Sequence, residues 1–164
     1  MSISSIEIRQ IQKSDDPKIK EIILNSLEEY GANREGFAAK DPELESLTDF
    51  YHKIGGIYFI ATEKGELIGG AGIAPLKGDA SVWELQKMYL KRSARGKGVG
   101  KKLIESCIQN AMSRKLDFLY IETLDSMKEA NAMYQKYGFK KIDSPIGNTG
   151  HFGCDRYYLL NING

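Results

Sequence analysis

The chain has 164 residues, with 23 lysines and arginines against 22 aspartates and glutamates, for a net charge of +1. That length suits one domain with a full hydrophobic core. The near-neutral balance excludes a global basic field for nucleic acid or anionic membrane, and two cysteines, Cys107 and Cys154, exclude a disulfide framework.

No stretch approaches the length and apolarity of a membrane span, and the opening MSISSIEIRQIQ lacks the apolar run of a signal peptide. A cytoplasmic protein with no membrane partner is expected.

In chain order, Ser5–Gln12 alternates around Ile6 and Ile8 and predicts a strand. Ser14-Asp15-Asp16-Pro17 reads as a helix start, with an acidic cap and a proline in the first turn. Ile19, Ile22, Ile23, Leu27 and Tyr30 then recur at helical spacing up to Gly31. Residues 31–40 (GANREGFAAK) read as a loop or a short helix crossing a pocket. Asp41-Pro42 repeats the cap-and-proline signal, and Leu44, Leu47, Phe50 and Tyr51 predict one helix with a buried face.

Gly56–Thr62, Leu67–Pro75 and Val82–Leu90 read as three antiparallel strands joined by turns at 63–66 and 77–79. The glycines of LIGGAG weaken the middle strand and predict a bulge or close backbone approach. Val99, Leu103, Cys107, Ile108 and Ala111 mark a helix to about Ser113, with Cys107 on its apolar face. Asp117–Glu122 reads as a short central strand. Met127–Tyr137 is a helix ended by Gly138. Phe139–Ile142 and Asp155–Asn161 are two last strands, joined by a turn-rich loop over 143–154. The order is that of a mixed α/β domain.

The chain is organised around Glu84–Ile104, ELQKMYLKRSARGKGVGKKLI. A strand hands over to a basic, glycine-rich loop that opens a helix. Unpaired amides and the helix dipole make such a place a phosphate cradle. Gly96, Gly98 and Gly100 leave the backbone approachable, and Arg95, Lys97, Lys101 and Lys102 add positive charge. Lys102 stands where a mononucleotide loop needs Ser or Thr, and Lys101 where the dinucleotide fingerprint needs its third glycine. Both nucleotide readings therefore fail. Nucleic-acid binding through residues 91–102 is also disfavoured, because no aromatic residue is interleaved there to stack bases.

LKRSARGKGVGKKLI, with Arg95, Gly98 and Gly100, resembles the acetyl-CoA-binding motif of the GCN5-related N-acetyltransferases, the GNAT family. EANAMYQKYGF, over 129–139, resembles the family's second signature, a helix bearing alanine and tyrosine followed by Gly-Phe. The resemblance covers the chain from about Ile6 to Ile162. It implies a single-domain α/β fold with a mixed sheet of six to seven strands, about four flanking helices and splayed central parallel strands.

By that resemblance, acetyl-CoA is the acyl donor and no metal takes part. The amides of Arg95, Gly96, Lys97, Gly98, Val99, Gly100 and Lys101 would hold the pyrophosphate, and the backbone of Met88, Tyr89 and Leu90 the pantetheine arm. The N–H of Met88 would meet the thioester carbonyl. Glu84 would be the general base, needed because an alkylamine is almost wholly protonated at neutral pH. Tyr134 would be the general acid for the departing thiolate, in preference to Tyr137 on the same face. The family's CoA-contacting asparagine is replaced by Met127, which leaves Asn131, one turn later, as the candidate. His151 in the last loop is a second candidate base or acceptor contact. With His52 as the one other histidine, zinc is not expected.

The activity implied is direct acetyl transfer to the primary amine of a small molecule or protein, by a monomer or homodimer. The alternative is an acyl-CoA-binding sensor with little turnover. Residues 31–51 and 143–154 are expected to shape the acceptor pocket.

Overall fold

A computed structural model describes residues 5–163 of the chain; Met1–Ser4, at the start of the sequence read above, lie outside them. Seven strands form one mixed sheet in the order β1-β2-β3-β4-β5-β7-β6. They are β1 Ile6–Gln10, β2 Ile57–Glu63, β3 Glu66–Leu76, β4 Asp79–Leu90, β5 Phe118–Thr123, β6 Lys140–Ile142 and β7 Arg156–Asn161. Four helices flank it: α1 Asp16–Glu29, α2 Leu47–Ile54, α3 Val99–Ser113 and α4 Lys128–Lys136. The expected architecture is therefore the observed one. Among the described residues no helix is long and apolar enough to cross a membrane.

One core cluster joins α3 and α4 to the sheet through Val99, Leu103, Ile104, Cys107, Leu119, Tyr134 and Tyr158. A second joins α1 and α2 through Ile19, Ile23, Leu27, Leu47, Tyr51 and Tyr58. Each fully buried Leu or Ile contributes about 1.5–3 kcal/mol relative to exposure, so these stripes outweigh the modest helix propensity of the β-branched residues in α1.

Two helix starts differ from expectation. Asp15 does not cap α1 with its side chain. It accepts from Arg9 and from the Gln12 amide at 2.7 Å, closing a 3-10 turn over Lys13–Asp15 that feeds the helix. Asp41-Pro42 does not open one long helix. A 3-10 turn spans Pro42–Glu45, Ser46 breaks it, and α2 begins at Leu47. The Asp41 carboxylate makes no cap bond and is engaged elsewhere, as described below.

Two departures from regular pairing matter for function. First, β4 and β5 run parallel but pair only at Trp83↔Leu119 and Glu84↔Tyr120. Beyond those positions the strands separate. Second, Gly70 pairs with Tyr89 while Gly72 pairs with Gln86, so Lys87 and Met88 together oppose Ala71. This is a β-bulge, and Lys87 takes φ +54 within it. The glycines of β3 serve the same feature: a Cβ at Gly70 would come within 2.5 Å of the Tyr58 ring, and one at Gly72 within 2.7 Å.

Candidate active site

The glycine loop enters α3 through Gly98, which has φ +82 and offers no side-chain cap. The first intrahelical bond runs from the Lys102 amide to the Gly98 carbonyl at 3.2 Å. The amides of Val99, Gly100 and Lys101 therefore precede the helical ladder and face outward as donors. Gly96 is also left-handed, at φ +77. Gly100 has a different role from its neighbours: a Cβ there would lie 2.9 Å from the Met133 methyl, so its absence lets α3 pack on α4.

These amides border an elongated outer cleft of about 240 Å³. Met88, Tyr89, Leu90, Arg95, Gly96, Gly98, Val99, Gly100 and Lys101, all expected to contact the acyl donor, line it. Two expected residues do not. Lys97 turns to Glu63 at 3.6 Å. Asn131 is buried in the first turn of α4, where its side-chain NH2 donates to the carbonyls of Leu124 and Asp125 in the β5–α4 connection at 2.9 and 3.3 Å. The Arg95 side chain pairs with Glu29 of α1 at 2.7 Å, leaving the loop's backbone as the part free to bind. Ser26, Tyr30, Met127, Glu129, Ala130 and Met133 complete the lining. Of these, Met127 stands where the family has its CoA-contacting asparagine, whereas Ser26, Tyr30 and Met133 carried no signal because they reach the cleft from α1 and α4.

An inner cavity of about 70 Å³ opens where β4 and β5 part. It shares Met88, Tyr89, Met127 and Ala130 with the outer cleft, so the two are continuous. The bulge places Met88 at their junction. Glu84, Glu122, Tyr134, His151 and Phe37 line the inner side. Segments 31–40 and 143–154 do shape this cavity, with Phe37 and Ala38 from the first and His151 and Cys154 from the second. They are tied together by the Gly153 amide donating to the Gly36 carbonyl at 2.8 Å.

Glu84 is 5% exposed. Its Oε1 accepts from Gln86 Nε2 at 2.8 Å, and Gln86 is itself held by Tyr51 at 2.5 Å. Burial, then the nearby Glu122 carboxylate, push the Glu84 carboxyl up to about 7, against the smaller opposing pulls of Lys87, His151 and the Gln86 bond. Glu84 is thus neither a solvent-facing strand residue nor the salt-bridge partner of Lys87. The Lys87 ammonium, 3% exposed, lies 2.8 Å from Asp41 and 3.2 Å from Glu43. Burial disfavours its charge, but those two carboxylates outweigh burial and hold its pKa above the usual lysine value.

Asp41 also takes His151 Nε2 at 2.9 Å. Burial disfavours the charged ring, and the Asp41 carboxylate outweighs it, so the His151 pKa lies above its ordinary value. The other ring nitrogen, Nδ1, lies 3.8 Å from Glu122. Glu122 accepts from Tyr120 at 2.8 Å and from Thr149 at 2.5 Å. Neither Asp41 nor Glu122 was found from the sequence as a site residue. Asp41 resembled a helix cap, and Glu122 an ordinary strand-end glutamate.

Tyr134 is 4% exposed, and its ring stacks edge-on against Phe139 and Tyr158. Its hydroxyl makes no hydrogen bond with any described residue, and the side chain lines the inner cavity. Burial, reinforced by the neighbouring Tyr158 and Cys107, pushes its pKa far above the phenol value, so it stays protonated. Tyr137 instead donates to Glu105 of α3 at 2.7 Å, away from both cavities. Cys107 is wholly buried in the core, and burial raises the Cys154 thiol to about 12, so neither is a ready nucleophile.

Comparison with known proteins finds relatives over most of the chain. A family model described as Acetyltransferase (GNAT) family matches residues 20–139. YjgM of Escherichia coli K12, named an uncharacterized N-acetyltransferase, is 39% identical over 157 residues, which is 94% of each chain. A GNAT-family acetyltransferase of Staphylococcus aureus Mu50 superposes with a TM-score of 0.84 at 25% identity, covering 96% of this chain and 99% of that one. YncA of Salmonella typhimurium, solved with its cofactor acetyl-CoA, shares the fold with a TM-score of 0.75 at 18% identity, over 97% and 95% of the two chains.

Proposed function

As the chain belongs to the GNAT family of acetyltransferases and is by that membership an N-acetyltransferase, we propose that it moves acetyl from acetyl-CoA to a primary amine by direct attack, with Glu84 and Tyr134 at the reacting atoms. The observation that carries this reading is the junction of the two cavities at Met88. A groove bordered by free amides leads there from outside, and a buried carboxyl and an unpaired phenol meet it from inside.

The residues present fit the donor. Val99, Gly100 and Lys101 offer amides at a helix N-terminus, suited to a pyrophosphate. Tyr89 and Leu90 pair with Gly70 and Gly69 on one side and have no β5 partner on the other, so that edge can take an extended amide-bearing arm as a further strand. When bound, acetyl-CoA supplies the activated acyl group.

Glu84 takes the proton from the acceptor ammonium, its pKa near 7 leaving it about half ionised at neutral pH. The neutral nitrogen attacks the carbonyl carbon, and the backbone N–H of Met88 stabilises the negative oxygen that develops. The C–N bond forms, the C–S bond breaks with its electron pair leaving on sulfur, and the second proton that the nitrogen sheds ends on that sulfur. Tyr134, by giving its phenolic proton to the thiolate and regaining the one from the nitrogen, serves that transfer. A thiol pKa of about 8.5 makes this a modest task, and a phenol that remains protonated is suited to it.

Thiol release from acetyl-CoA with a panel of primary amines tests the proposal. Amine-dependent release above hydrolysis is expected. Tight CoA binding with no release across the panel would favour an acyl-CoA sensor instead.

A further inference from the structure

Four carboxyl groups, Asp41, Glu43, Glu84 and Glu122, stand in or just behind the inner cavity with two cations, Lys87 and His151. The cations are already engaged. Asp41 holds both Lys87, at 2.8 Å, and His151 Nε2, at 2.9 Å, and Glu43 supports Lys87 at 3.2 Å. The carboxylates left over are Glu84 and Glu122, and they converge. One ligand atom from each, together with one from His151, lie within 4.8 Å of one another. Glu122 is satisfied by two hydroxyls and has only His151 Nδ1, 3.8 Å away, as a nearby positive charge. Glu84 accepts one bond, from Gln86, and its second oxygen accepts none from any described residue.

Two carboxylates held close in a buried site repel, and each lacks the water that would screen it. The rise of the Glu84 carboxyl toward neutrality is the visible cost. A cation seated between them removes that cost. An anionic group there would meet two carboxylates and no free positive charge.

The walls add a second constraint. The Gly36–Gly153 bond ties together the two segments whose Phe37, Ala38, His151 and Cys154 line the cavity, and Phe37 packs so tightly on Gly153 that a Cβ there would fall 2.4 Å from its ring. The volume of about 70 Å³ holds roughly five water-sized groups, which suits a short chain and not a segment of folded protein.

We propose that Glu84 and Glu122 together receive the acceptor as an ammonium ion, and that the site selects compact amines with no anionic group near the reacting nitrogen. This rests on the reading of the inner cavity as the acceptor pocket. Glu122 is then a specificity residue contributed by β5, two residues beyond the register partner of the base on β4.

Calorimetric titration of the full chain saturated with CoA, using butylamine and 4-aminobutyrate, tests it without requiring turnover. Butylamine is expected to bind at least tenfold more tightly than 4-aminobutyrate. Glu122→Gln is expected to weaken butylamine about tenfold and leave CoA affinity unchanged. Should that variant fail to fold, the ratio of the two amines on the unaltered chain decides alone. Equal or tighter binding of 4-aminobutyrate overturns the proposal, as does failure of both amines to bind. Discrimination between the amines without any acetyl transfer would count against the transferase reading while upholding the charge selection. Preferential acetylation of 4-aminobutyrate would do the reverse.

Discussion

The phenol of Tyr58, on β2, donates to the backbone carbonyl of Lys87, on β4, at 2.7 Å inside the core. Between them lies β3, whose Gly70 and Gly72 leave room for the ring. The bulge therefore rests on three supports: this hydrogen bond, the glycines that permit it, and the Lys87 ammonium clamped by Asp41 and Glu43. Together they hold a lysine at φ +54, a conformation that L residues seldom adopt.

Tyr58→Phe should therefore do more than lose a buried hydrogen bond. We expect a stability loss of about 1–2 kcal/mol by urea denaturation, accompanied by a drop in kcat as Met88 loses its placement. An unchanged kcat at the lower stability would mean that the bulge holds its shape without the phenol.

Glu84 links activity and stability in opposite directions. Its carboxyl must be ionised to act as base, so kcat/KM should rise about tenfold per pH unit up to about 7 and level off above. The folded-state pKa, about 7, lies above the ordinary 4.5, so the folded protein holds this proton more strongly than the unfolded chain. That contribution is fully present below about 4.5 and is lost as pH rises through about 7. Glu84→Gln should abolish the acid limb of the profile and lower turnover. It should also be more stable than the unaltered chain at pH 8, by on the order of 3 kcal/mol, with little difference at pH 4. Denaturation at the two pH values checks the sign.

Tyr134→Phe keeps the ring contacts with Phe139 and Tyr158 and removes only the hydroxyl. Turnover should fall by roughly 10- to 100-fold, with acetyl-CoA affinity nearly unchanged. Matched losses in both would identify the tyrosine as a packing residue.

Gly153→Ala should displace the Phe37 ring, since the added methyl would otherwise overlap it. KM for the amine is expected to change about tenfold, while KM for acetyl-CoA holds, because no residue of the outer cleft is touched. Steady-state kinetics with each substrate varied in turn separates the two effects.

Much of this was legible in the sequence where a local pattern had a local cause. Helical periodicity placed Ile19, Ile23 and Leu27, and the loop Arg95–Gly100 announced itself through glycine and charge. The register of EANAMYQKYGF favoured Tyr134 over Tyr137, and the two side chains do face different surroundings. What stayed hidden depends on chain segments far apart in sequence. Asp41 looked like a cap because aspartate before proline usually is one; its engagement with Lys87 and His151 spans 46 and 110 residues. Glu122 comes near Glu84 because β5 lies beside β4 and carries it two residues beyond Tyr120, the register partner of Glu84, a fact of sheet order. Asn131 was assigned to the cofactor by proximity to the motif, yet its side-chain NH2 is turned back from α4 onto the carbonyls of Leu124 and Asp125. The bulge was the least visible feature, since Lys87 is an ordinary lysine in an ordinary strand until Tyr58 reaches it.

The two-position seam between β4 and β5 has a mechanical consequence. It divides the sheet into a four-stranded leaf and a three-stranded leaf with few main-chain bonds across the gap. A ligand lying along the opening would rivet the leaves to each other. Amide exchange in β5 and β7 should then slow on CoA binding even at residues that touch no ligand, as two loosely coupled halves become one cooperative unit.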